Sequence, residues 1–162
     1  MPKILALIIA VTTLTVVPSA FASVSASISP TRVDFGRVPF NNGCVVGPSD
    51  VPNELCVTRT VTVTNTGTEP LFGAGAGACE TLLLPQNTCV TVHAGWGGFT
   101  GSGTSTCLSQ VVAPGETCTV VLVAGPTRPG LIRGVFQLEM ASTLTSETII
   151  LAVPVRLLSV PS

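Results

Sequence analysis

The chain has 162 residues, of which 46% are hydrophobic and only 9% charged, with six cysteines, thirteen prolines, sixteen glycines and no tyrosine. A formal net charge of −1, with Lys3 the only lysine, excludes the strongly basic face that nucleic acid or an anionic bilayer would recruit. The absence of tyrosine and a single tryptophan, Trp96, argue against an aromatic sugar-binding platform.

The first element reads as an export signal. Lys3 supplies a short positive region, Ile4 to Val17 are apolar apart from threonines, and Ala20-Phe-Ala22 gives the small-x-small pattern of a cleavage site. The apolar run is short for a membrane span of ~20 residues, and no cysteine follows the site to accept lipid. The expected domain organisation is a cleavable signal peptide at 1–22 and one domain at 23–162, in which six arginines face eight acids.

From there helix signals are scarce and alternation recurs. Val24, Ala26 and Ile28 alternate with serines until Pro30 ends or kinks the segment. Val33 and Phe35 share a face, and Gly36 marks a turn or bulge. Residues 41–56, rich in Asn, Gly and Pro, read as a stapled loop. Residues 57–65 form the clearest strand, with Val57, Val61 and Val63 inward and the intervening threonines outward. Arg59 falls on the valine side, near the strand end, with its head reaching solvent. Asn65-Thr-Gly67 is turn chemistry, with the glycine free to take positive φ.

Residues 72–106 read as long loops with short strands, because Gly73-Ala-Gly-Ala-Gly-Ala78 and Gly95 to Gly103 are small and flexible. They lack the strand, helix start and lysine of a phosphate cradle. The pattern sharpens after Pro114-Gly115, where Cys118, Val120 and Leu122 share one parity and Thr119 and Val121 the other. Gly125 to Gly130 form a rigid turn, followed by Phe136, Leu138 and Met140 inward with Gln137 and Glu139 outward. The last strand sets Ile149, Leu151, Val153, Val155 and Leu157 on one side. Pro154 cannot donate to a ladder, so that strand is expected at an edge or unpaired there. Seven or so short strands predict an all-β, immunoglobulin-like two-sheet β-sandwich with long disulfide-stapled loops.

Cysteines in an exported chain read as disulfides rather than metal ligands, and no Cys-x-x-Cys occurs. Fifteen connectivities are possible. The spacing of Cys44 and Cys56, Cys79 and Cys89, and Cys107 and Cys118 favours pairing neighbours, each loop stabilising by ~3 kcal/mol in the chain-entropy view.

Ile28-Ser-Pro-Thr-Arg-Val-Asp-Phe-Gly-Arg-Val-Pro39 resembles the opening of the ASPM–SPD-2–Hydin (ASH) type of immunoglobulin-like domain found in bacterial exported and surface proteins. Thr60 to Leu71 resembles its second-strand signature, and Cys107 to Leu122 its later strand pair, which often carries a disulfide at this spacing. The resemblance covers about two thirds of residues 23–162 and fails at 41–56 and 72–106, which read as cysteine-bearing insertions. It implies a sandwich related to the major-sperm-protein and pilus-chaperone folds, and implies no activity.

The expected function is therefore a non-enzymatic exported structural or adhesion/binding module, secreted, periplasmic or on the cell surface. The alternative is a periplasmic chaperone-like protein for surface-structure assembly, since Ser29-Pro-Thr-Arg-Val33 resembles the first strand of pilus chaperones. Those proteins use two domains and an Arg–Lys pair, whereas residues 23–162 make one domain without lysine. An enzyme would need His93 as its base; no Gly-x-Ser-x-Gly elbow is present and the cysteines are committed. No catalytic, cofactor-binding or metal residues are expected. The candidate ligand contacts are His93, Trp96 and Phe99, on glycine-flanked loops. The expected partner is a protein or cell-envelope component, without nucleic acid and without stable membrane insertion after cleavage.

Overall fold

The computed structural model describes residues 22–44, 53–80, 97–99, 105–126 and 128–162. Within them lie strands β1 (Ala26–Ser29), β2 (Val33–Pro39), β3 (Val57–Asn65), β4 (Leu71–Glu80), β5 (Gly97–Phe99), β6 (Thr117–Ala124), β7 (Gly130–Ser142) and β8 (Thr148–Val160), with one 3-10 turn at Thr106–Leu108. One sheet has the order β1-β3-β6-β5 and the other β2-β8-β7-β4. The expected sandwich is present.

The alternating residues explain the two layers. In the first sheet Val61 pairs with Val120 and Val63 with Cys118, all buried. Facing them from the second sheet are Phe35, Phe136, Leu138, Met140, Val153 and Leu157. Burying one such side chain contributes ~1.5–3 kcal/mol. The segment carrying β1 and β2 breaks at Pro30, and its two halves join different sheets: β1 runs antiparallel to β3, and β2 runs parallel to β8. Gly36, at φ 73°, marks the register shift between Asp34 and Arg37. That is the bulge expected from the sequence.

One expectation needs correction. The Gly-Ala tract is not a loop: it lies in the ten-residue β4, paired with β7 from Leu71–Ser142 to Glu80–Gly134. Pairing with the strongly alternating β7 overrides the poor strand preference of glycine. Gly73 has a steric role, because a Cβ there would lie 2.5 Å from the Cys107 carbonyl oxygen.

Gly67 does not use the positive φ that is open to it. It is glycine because the N-terminal segment crosses it, and a Cβ would lie 2.3 Å from Ser23 O. Pro154 lies in a strand flanked by β2 and β7. Pairing with β2 starts only at Val33–Val155, so at Pro154 the strand has β7 alone beside it among the described strands. The strand thus leaves pairing on one side at its proline, one of the two outcomes open in the sequence.

Arg59 behaves as its parity suggests. Its guanidinium sits 5.9 Å from the Phe35 ring centroid, and Nε donates to the Asp34 carbonyl at 3.1 Å.

Candidate functional site

Several strand ends meet at one end of the sandwich. There Pro39 pairs with Val160, Val57 and Gly97 both pair with Ala124, and Gly130 pairs with Ser159. The described residues flanking segment 45–52 leave from this end. Those flanking 81–96 are Glu80, opposite Gly134 near the start of β7, and Gly97 at the end itself.

The base of the first insertion is a clasp. Cys44 and Cys56 form a disulfide with Cα atoms 4.6 Å apart. Asn42 Nδ2 donates to Leu55 O at 2.9 Å, and Asn53 Nδ2 donates to Gly43 O at 2.9 Å. Asn41 and Gly43 take positive φ, which turns the chain sharply, and Asn41 N–H donates to Pro126 O across to the β6–β7 turn. A shallow hollow lies between Asn41–Cys44 and Gly125–Pro126. The clasp ties together the described residues on either side of 45–52.

The opposite end is a structural latch. Asn65, buried at the end of β3, donates from Nδ2 to Glu69 O and Val112 O and accepts from Gly67 N–H. The Pro114-Gly115 turn closes with Glu116 N–H donating to Ala113 O, and Gly115 at φ 81° is the glycine such a type II turn requires. Glu69 is a buried carboxylate that accepts from the hydroxyls of Ser142 and Thr145. The Ser142 hydroxyl also accepts from the N–H groups of Leu144 and Thr145. These bonds hold the β7–β8 turn.

A second disulfide, Cys107–Cys118, ties the 3-10 turn to β6. Beside it, Thr106 Oγ1 and Ser105 Oγ accept from the N–H groups of Thr119 and Val121. Two hydroxyls thus stand in for a neighbouring strand where β5 has ended.

On the outer face of the second sheet, Asp34 accepts from Arg156 Nε at 2.6 Å and forms an ion pair with the same guanidinium. Its other oxygen accepts from Gly36 N–H. The Arg156 hydrogen bond, aided by that backbone donor, holds the Asp34 carboxyl below its ordinary value. Arg133 stands opposite Arg156 on β7. The sequence reading did not single out these arginines. Their outward parity was legible, but the register that brings them together was not.

The other proposed contacts divide. Phe99 lies in β5 with its backbone opposite Leu122, and Cys79 lies in β4 opposite Val135. His93, Trp96 and Cys89 lie outside the described residues, as does the expected Cys79–Cys89 link. Among the described residues no group of three His, Cys, Asp or Glu is placed to hold a metal ion. No described helix is long and apolar enough to cross a membrane.

No protein-family profile and no curated protein matches the chain. Among solved structures, the ASH / PapD-like domain 7 of human CEP192 superposes with a TM-score of 0.55 at 12% identity, over 95% of this chain and 98% of that one. The fold is the ASH/PapD-like sandwich. The YadV chaperone aligns with a TM-score of 0.48 and 16% identity, over 83% of this chain and 51% of that one. The Vibrio cholerae VesB protease gives 0.49 and 16%, over 83% of this chain and 32% of that one.

Proposed function

We propose that the protein is a non-enzymatic module, exported by cleavage after Ala22, that presents its inserted loops to a protein or cell-envelope partner. The observation that carries this reading is the clasp at the loop end, where Cys44–Cys56 and the two asparagine side chains brace an insertion on a rigid sandwich. Trp96 and Phe99 belong to the second glycine-rich tract, Gly95 to Gly103, His93 stands two residues before it, and the three are the proposed contacts. The oxidising compartment beyond the inner membrane suits the disulfides.

Turnover is not expected. The chain has a single histidine, His93, and among the described residues the Ser142–Glu69 pair holds a turn. The test is to cross-link the exported protein in its own cell envelope and identify what co-purifies, beside a broad hydrolase screen. A specific envelope partner with no turnover is the expected result. Turnover that disappears in His93→Ala would overturn the reading.

A further inference from the structure

One outward corner of the second sheet combines cationic and aliphatic groups in a defined register. Arg133 on β7 stands directly opposite Arg156 on β8, and Asp34 on β2 flanks Arg156 on its other side. In the next row Leu131 stands opposite Leu158, with Arg37 beyond it. Directly opposed side chains on antiparallel strands have Cβ atoms about 4.5–5.5 Å apart, where like charges repel.

Asp34 cannot relieve all of this charge. One of its oxygens is taken by Arg156 and the other by Gly36 N–H. Arg37 and Arg133 are exposed and have no carboxylate partner among the described residues. Beside them Leu131 is 51% and Leu158 40% exposed. Among the described side chains the corner brings together three arginines and one acid.

We infer that this corner docks an acidic, aliphatic segment of a partner protein. Guanidinium groups take carboxylates with planar, bidentate geometry, and an anion seated beside Arg133 offsets its repulsion with Arg156. The leucine pair adds an apolar half that needs aliphatic side chains in return. Acidic polysaccharides and polyphosphates lack such groups, which favours a polypeptide. The corner also adjoins the loop end, since Leu131 follows Gly130 at the start of β7. A partner held by the loops therefore reaches it. The inference rests on the binding reading above and adds the partner's chemistry.

The test measures anisotropy of a short labelled peptide of alternating glutamate and leucine on the full protein, Arg133→Gln and Leu131→Ser. A glutamine version of the peptide, polygalacturonate and phosphatidylglycerol vesicles serve as comparisons. Both substitutions fall on exposed positions, and melting curves verify that the fold is kept. The expected result is binding by the glutamate peptide alone, weakened about tenfold or more in Arg133→Gln, the scale of one charge-assisted hydrogen bond, and also weakened in Leu131→Ser. Equal binding of the glutamine peptide, an unchanged Arg133→Gln, or binding confined to the glycan or the vesicles would overturn it. If the peptide fails while envelope retention persists, the corner is wrong and the binding module stands. Loss of envelope retention in the wild type would instead remove the module.

Discussion

Asn65 and Val112, 47 residues apart in sequence, are joined by a 2.9 Å hydrogen bond from the asparagine Nδ2 to the valine carbonyl. The same carbonyl accepts from Leu71 N–H, and Asn65 O accepts from Gly115 N–H. One buried side chain thus ties the end of β3 to the start of β4 and to the approach of β6. Asn65→Ala should cost about 2–4 kcal/mol, because it strands buried polar groups. Thr60→Ala, exposed in the same strand, should stay within about 0.5 kcal/mol. Urea melts of both variants decide this, and equal losses would mean that Asn65 does not organise the turn.

The two kinds of glycine should respond oppositely. Gly67→Ala would drive a methyl into Ser23 O and should destabilise by roughly 1–3 kcal/mol. Gly77→Ala meets nothing within 4 Å at a backbone that L-residues accept, and should be neutral or stabilising by up to about 1 kcal/mol. Thermal melts of the pair would show whether close approach, rather than backbone freedom, fixes Gly67.

These residues show what was legible. Alternation at Val61, Val63, Phe136 and Leu138 announced the layers because each inward position demands an apolar side chain. The turn at Asn65 to Gly67 was also readable, but the reason for its glycine was not. That reason is a contact with Ser23, more than forty residues away in sequence. The Gly-Ala tract was misread for a related cause: its strand comes from pairing with β7, and no residue within the tract encodes that partner. The corner of Arg37, Arg133 and Arg156 depends on register between three strands in the same way. Cysteine spacing was informative because short loops close locally, as Cys44–Cys56 and Cys107–Cys118 do.

Asp34 gives a pH signature. Its folded carboxyl is depressed below the ordinary 3.8, chiefly by the Arg156 hydrogen bond. A depressed acid stabilises fully above its unfolded value, and that contribution is lost as pH falls through the folded value. Wild type minus Asp34→Asn should therefore be constant at neutral pH and shrink below about pH 4. A difference that grows on acidification would contradict the ion pair's assignment.

Non-reducing peptide mapping of the exported protein should find Cys44–Cys56 and Cys107–Cys118, a third link between Cys79 and Cys89, and Ser23 as the first residue. Replacing Cys107 and Cys118 together should cost roughly 2–5 kcal/mol, the usual range for a native bridge. Any cross-link between different pairs, or an uncleaved chain in the membrane fraction, would refute the corresponding part of this scheme.

The central claim is that the protein works by binding through its loop end. Retention of the exported protein on its own envelope material tests it most directly, comparing wild type with Trp96→Ala and with Leu144→Ser, an exposed change on the turn at the opposite end. The account predicts strong retention for wild type and Leu144→Ser and a clear loss for Trp96→Ala. Equal retention of all three proteins would contradict it.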